Sequence, residues 1–215
     1  MIKYAIFDVG GVCYPFSLNP LNDWAFNKSY DKDEFVLKGG VKSFDYNSYM
    51  KGDIDFEGFC KKLCEHSFVE YDKGRKEEID KKLHEGVGDF YKETMRVMEK
   101  LKKKGIKVGL LSNALPNLSD TADMLVEDKY CFVSYELKCL KPCGEIYQKM
   151  LNILGCRAED VVFVDDKEKN ISGAKKLGIR GVVFDRKTIA KNIDNILKSE
   201  NSNPFLELKN TGNCF

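Results

Sequence analysis

Histidine is nearly absent from this chain: its 215 residues include two, His66 and His84. Eight cysteines are present, yet Cys60 and Cys64 stand four apart, as do Cys139 and Cys143, so neither pair has Cys-x-x-Cys spacing. With no histidine cluster to complete a tetrahedral ligand set, a structural zinc site is excluded. No apolar run approaches the length of a membrane span, and the start lacks the basic leader of a secretory signal. Reduced thiols and a cytoplasmic location are therefore expected. Charge of one sign is missing too: 35 basic residues face 34 acidic ones. Such a balance gives no general attraction to nucleic acid or anionic membrane, and neither is expected as a partner. The Lys-rich stretch Glu99–Lys104 reads as a solvated helix face, and no internal repeat is visible.

The chain does contain a set of short apolar runs, each ending in a polar residue. The first runs from Lys3 to Phe7 and ends at Asp8, with Gly10 and Gly11 close behind. A carboxylate at the tip of a buried strand, beside glycines that let the backbone turn and approach a ligand, is a place for chemistry. Further strands are expected at Ile106–Leu111, Cys131–Ser134, Val161–Val164 and Gly181–Phe184. Helices are expected between them at Asn117–Glu127, Glu145–Leu154 and Asn170–Leu177. Another, from Asp89, carries Tyr91, Met95, Met98 and Leu101 on one face and stops at Gly105. Continuously apolar strands alternating with helices indicate an open parallel α/β sheet of Rossmann-like, three-layer form.

Residues from Leu18 to Gly86 have a different texture. Met50, Ile54, Phe56, Phe59, Cys60 and Leu63 recur at helical spacing around a turn at Gly52-Asp53. Trp24, Phe26, Phe35 and Val36 suggest an earlier apolar face. The expected organisation is a core of residues 1–14 and 87–200, a helical insert over 15–86, and a peripheral tail over 201–215. Gly11 and Gly86 are candidate hinges between core and insert.

Ligands of open α/β sheets sit beyond the carboxyl ends of the strands. Those ends offer Asp8, Ser112 with Asn113, Asp165 with Asp166, and Lys141 in a loop. Three carboxylates together repel one another unless a hard divalent cation, most simply Mg²⁺, neutralises them. An ammonium and a hydroxyl beside such an ion make a phosphoryl receptor, with Asp8 placed to act as nucleophile. Cys13, just past Asp8, is expected at the mouth of the site.

Phe-Asp-Val-Gly-Gly-Val, Leu-Leu-Ser-Asn, Leu-Lys-Pro-x-x-x-Ile-Tyr and Phe-Val-Asp-Asp, followed by Asn170-Ile171-x-Gly173-Ala174, resemble the four motifs of the haloacid dehalogenase (HAD) superfamily. They come in family order, with an insert where a helical C1 cap belongs. The resemblance implies Mg²⁺-dependent phosphoryl transfer on a small phosphorylated metabolite. It implies Asp8 as nucleophile and metal ligand, the Gly10 carbonyl and Asp166 as further ligands, and Asp165 beside them. Ser112, Asn113 and Gly11 would bind phosphate, and Lys141 would balance charge there. One departure stands out: most family phosphatases carry a second aspartate, a general acid/base, where this chain has Gly10. Losing such a group typically costs about 10² to 10⁴ in rate. A leaving group that needs little protonation would suit, such as that of a sugar 1-phosphate. The chain is most similar to the bacterial α-glucose-1-phosphatase branch, which also has glycine there. Rival readings are a weakly active phosphate-binding relative, a 2-haloacid dehalogenase and a phosphomutase. A dehalogenase needs no Mg²⁺, which would leave Asp165-Asp166 unexplained.

Overall fold

The computed structural model describes residues 1–118 and 125–201. Five strands, β1 (Tyr4–Phe7), β2 (Lys107–Ser112), β3 (Cys131–Val133), β4 (Val161–Asp165) and β5 (Arg180–Val183), form one parallel sheet in the order β3-β2-β1-β4-β5. Each lies within a residue of its sequence expectation. β1 is central, paired with β2 on one side and β4 on the other, and all four of its residues are buried.

Successive side chains of a strand point to opposite faces, so an inner strand must be apolar on both. Ala5 and Phe7 of β1 and Val162 and Val164 of β4 face one cluster. There they meet Val97, Met98 and Leu101 of the Lys92–Lys103 helix and Ile189 and Ile193 of the Ile189–Asn201 helix. Tyr4, Ile6, Val161 and Phe163 face the other, against Ile146, Tyr147 and Met150 of the Gly144–Leu154 helix and Ile171 and Ala174 of the Glu168–Lys175 helix. These are the three layers expected.

A third cluster holds the insert after β1 together, centred on Leu21, Trp24, Phe35, Phe59, Leu63, Ile79 and Leu83. Its helices are Asn19–Lys28, Lys32–Leu37, Asn47–Met50, Phe56–His66 and Lys73–Glu85. Of the early apolar face, Trp24 and Phe35 are buried, whereas Phe26 and Val36 are exposed, at 37 and 61 %. The latter two belong to the outer surface of the insert. The Lys92–Lys103 helix buries Thr94, Val97, Met98 and Leu101, while Tyr91 caps its start instead of joining the face. The expected Asn117–Glu127 helix falls largely outside the described residues, as does the tail beyond Asn201.

Two chain crossings join insert and core. Ser17 N–H donates to the Gly86 carbonyl at 2.9 Å, and Gly88 N–H donates to the Pro15 carbonyl at 3.0 Å. This short ribbon, with Phe16 opposite Val87, fixes where the insert sits over the strand ends. Ser134 clasps the far side: its hydroxyl donates to the Met50 carbonyl at 2.6 Å and accepts from Ala114 N–H at 3.1 Å. Among the described residues, no helix is long and apolar enough to cross a membrane.

Candidate active site

Asp8 is the residue after β1, held in the sheet by its N–H donating to the Val164 carbonyl at 2.8 Å. The residue is 5 % exposed. Oδ1 accepts from Val9 N–H at 2.7 Å and from Lys141 Nζ, also at 2.7 Å. Burial raises the Asp8 carboxyl to about 6; the Lys141 ammonium opposes that rise, and Asp165 adds to it.

Lys141 is 4 % exposed and spends its three protons on buried acceptors. They are Asp8 Oδ1, Asp165 Oδ2 at 2.8 Å and the Leu111 carbonyl at 2.8 Å. Asn113 positions it from the end of β2: its side-chain amide donates to the Lys141 carbonyl at 3.0 Å and accepts from Lys141 N–H at 2.9 Å. The Asn113 side chain is therefore committed to the Lys141 backbone. Carboxylates this close offset the cost of burying an ammonium.

The paired aspartates at the end of β4 face different partners. Asp165, wholly buried, accepts from Lys141 and from Asn170 Nδ2 at 2.9 Å through Oδ2, and from Lys167 N–H at 2.8 Å through Oδ1. Asp166 is accessible from the cavity, where loss of water raises its carboxyl above the usual range. A side chain at position 11 would collide with it, because a Cβ on Gly11 would lie 2.6 Å from Asp166 Oδ2. Gly11 also takes φ +86°, a conformation that favours glycine. Its N–H donates to the Tyr14 carbonyl at 2.7 Å, so what Gly11 offers a ligand is room.

Asp8, Asp165 and Asp166 each offer one oxygen within 4.8 Å of the others. Fully ionised, these three carboxylates and the Lys141 ammonium carry a net double negative charge. A divalent cation would answer that charge; burial is what raises the carboxyls of Asp8 and Asp166. The donor set is all oxygen, which suits Mg²⁺ better than a softer metal.

A cavity of about 500 Å³ opens above this cluster. Asp8, Gly10, Gly11, Ser112, Asn113, Lys141 and Asp166 line it from the core, and Tyr46, Asn47 and Met50 from the insert. Phe16, Leu18 and Leu115 add apolar wall; Lys167, Lys169 and Asn170 add polar wall. The sequence-expected site residues thus meet in one cavity, except Asp165, which sits behind Lys141. Cys13 does not reach its mouth. It is fully buried, its thiol donates to the Asp8 carbonyl at 3.3 Å, and burial pushes the thiol far above its ordinary range. The turn after Val9 folds the chain back on itself, which puts Cys13 under the site.

A family model for hydrolases described as haloacid dehalogenase-like matches residues 2–178 of the chain. The chain belongs to the haloacid dehalogenase-like hydrolases. Among curated relatives of this HAD protein, mouse acyl-CoA dehydrogenase family member 10 is 25% identical over 206 residues, 91% of the chain and 19% of that protein. The (S)-2-haloacid dehalogenase 4A of Burkholderia cepacia is 30% identical over 102 residues, 45% of the chain and 43% of that protein. The matched segment is thus under half the length of either relative. Among solved structures, a HAD family enzyme of Bacteroides thetaiotaomicron superposes with TM-score 0.74 at 21% identity, over 89% of this chain and 98% of that one. Its complex with magnesium and inorganic phosphate superposes at 0.69 and 22% identity, over 86% and 96% of the two chains. A HAD-like family hydrolase of Porphyromonas gingivalis gives 0.71 at 21% identity, over 92% and 98%. At these identities the superpositions establish the shared HAD fold.

Sequence reasoning missed the cavity residues of the insert, Tyr46, Asn47 and Met50. The helical spacing at Met50 marks a packed face and carries no sign of which edge meets the core. Asn170 was read as part of a motif, without its bonds to Asp165.

Proposed function

We propose that the chain is a Mg²⁺-dependent phosphatase that hydrolyses a small phosphorylated metabolite through an aspartyl-phosphate on Asp8. The observation that carries this reading is the single cavity in which Asp8, clamped by Lys141, and Asp166, facing Gly11, stand over a net negative cluster. Asp8, the Gly10 carbonyl and Asp166 would hold Mg²⁺, with Asp165 beside them keeping Lys141 in place. Bound Mg²⁺ supplies charge neutralisation for the transferring phosphoryl group. The magnesium and phosphate complex of the Bacteroides enzyme supports this assignment.

The chain's own residues do the rest. Among the described residues, Val9 N–H and Lys141 Nζ both meet the Asp8 carboxylate at Oδ1, so Oδ2 is assigned as the attacking oxygen. It bonds to phosphorus as the bond to the leaving oxygen breaks, and that oxygen departs with the electron pair. The Ser112 hydroxyl and the backbone at Asn113 hold the phosphoryl oxygens, and Gly11 leaves room for them. Water then attacks the aspartyl-phosphate, releasing inorganic phosphate and restoring the Asp8 carboxylate.

Gly10 supplies no acid for the first step. Among the described residues, the carboxylates that line the cavity are Asp8 and Asp166. Asp23, Asp45, Glu57 and His66 do not line it, so none of them replaces the missing acid. With no spare carboxylate on the cavity wall, a leaving group that departs with little protonation suits this site, as a sugar 1-phosphate, acyl phosphate or aryl phosphate allows. A sugar 1-phosphate is the preferred substrate, in keeping with the likeness to the α-glucose-1-phosphatase branch. Residues 1–14 and 87–200 are assigned as the catalytic core and 15–86 as the cap; the tail expected over 201–215 lies, beyond Asn201, outside the described residues. Gly10 also favours a second reading, a HAD relative that binds phosphate and turns over slowly.

Phosphate release from glucose 1-phosphate, acetyl phosphate and 4-nitrophenyl phosphate, with Mg²⁺ and with EDTA, tests the proposal. Metal-dependent turnover that Asp8→Asn abolishes is expected. Turnover retained in Asp8→Asn sinks the covalent route. Mg²⁺-dependent binding of beryllium fluoride without turnover moves the weight to the second reading.

A further inference from the structure

Two cations on the cavity wall have no part in this chemistry. Lys167 caps the Glu168–Lys175 helix and Lys169 lies in its first turn, and both line the cavity. Lys141 is fully engaged by Asp8, Asp165 and the Leu111 carbonyl. Lys167 and Lys169 are exposed, and among the described residues neither ammonium makes a close ion pair, although Lys167 acts on the Asp166 charge at longer range. Asp166, next to Lys167, faces Gly11 and is assigned to the metal.

Lysine is a poor choice at this place in a helix. The N-terminus already carries partial positive charge, and a cation in the first turn opposes it. Two exposed ammoniums on a cavity wall, neither in a close ion pair, suit a site where the ligand brings an anion within reach of them. The cavity, at about 500 Å³, has the size of a small-molecule pocket and exceeds what one phosphate fills. Phe16, Leu18 and Met50 offer apolar contact for the body of such a molecule.

We infer that Lys167 and Lys169 form a subsite for a second anionic group, so the substrate carries a further phosphate or carboxylate besides the phosphoryl group at Asp8. This rests on the phosphatase reading above. The two lysines are specificity residues, and they act on the part of the substrate that stays with the leaving group.

The test compares kcat/KM for glucose 1-phosphate, glucose 1,6-bisphosphate and glucuronic acid 1-phosphate, with 4-nitrophenyl phosphate as a generic phosphatase probe. At least a tenfold gain is expected for one of the doubly anionic sugars, and which one shows whether the second group is phosphate or carboxylate. The paired change Lys167→Ala and Lys169→Ala should bring that ratio down to near one, mainly through KM. Arginine at both positions should restore most of it, and Lys176→Ala, at the far end of the helix, should leave it intact. Hydrolysis of the generic probe with no gain from a second anion overturns the inference alone, as does a gain that survives the paired alanine change. No phosphate release from any of the four compounds overturns the phosphatase reading and this inference with it.

Discussion

At the scale of single residues, Gly10 is the position where one atom group decides the most. A Cβ built there meets nothing nearer than Phe16 Cβ, at 3.7 Å, which is ordinary contact. Gly10→Asp should therefore fold and return an acid to the cavity. We expect turnover of alkyl phosphates to rise by about 10²-fold or more, with little change for 4-nitrophenyl phosphate, whose leaving group needs no proton. Steady-state kinetics on both substrates checks this, and equal effects would mean that protonation is not limiting. Asp8 sets a second expectation. Its carboxyl is raised to about 6 by burial in the metal-free protein. Below that pH a proton occupies the oxygen that Mg²⁺ requires; above it the carboxylate is free to bind. Mg²⁺ affinity should climb as pH rises from 5 to 7 and then level off, as calorimetric titration at each pH would record. Affinity that stays flat across this range would remove Asp8 from the ligand set. Most of this residue-scale picture is legible in the sequence, because Asp8, Ser112 and Asp166 end or follow apolar runs, and Lys141 stands in the Leu-Lys-Pro motif of a loop. The fate of Cys13 is not. A turn that reverses within a few residues sends the next side chain inward, and linear spacing carries no record of it.

At the scale of elements, the five strands could be read to within a residue, since a buried parallel strand is a continuous apolar run with no competing pattern. The Ile189–Asn201 helix was passed over, although Ile189, Ile193, Ile196 and Leu197 recur at helical spacing. Its lysines and asparagines masked a stripe that packs on the Lys92–Lys103 helix. The ribbon between Pro15–Ser17 and Gly86–Gly88 was visible only as glycine-rich punctuation. Gly86 is fixed there by proximity, since its φ of −77° suits any residue. A Cβ at Gly86 would drive into the Ser17 carbonyl. Gly86→Ala should therefore push the crossings apart and cost about 1–3 kcal/mol, the usual penalty of overpacking. A lowered urea midpoint is the expected readout, together with a raised KM if the cap loses its seat over the cavity. An unchanged midpoint would show that the ribbon yields without strain.

For the whole molecule, fold stability and metal binding draw on the same residues. The sheet centre carries Asp8 and the end of β4 carries Asp165 and Asp166, with Lys141 the one buried cation set among them. Without a divalent ion, the fold holds this cluster at the carboxyl end of its sheet with two of its three carboxylates buried, which favours looser states that let water in. On the proposed assignment Mg²⁺ binds the folded chain, and it should then stabilise it by mass action, by about 2.7 kcal/mol at a hundred times its Kd. At this chain length each kcal/mol shifts Tm by about 2–4 °C, so saturating Mg²⁺ should raise Tm by roughly 5–10 °C over EDTA. Asp166→Asn separates the two effects. It removes one negative charge from the cluster while keeping the side-chain shape, so in EDTA the variant should melt at or above the parent chain. It also takes away the cavity-facing oxygen charge, so added Mg²⁺ should lift its Tm far less. The two melting curves should therefore cross between EDTA and saturating Mg²⁺. If Asp166→Asn instead lowers Tm equally in both, Asp166 supports the fold by packing, and the ion sits elsewhere in the cluster.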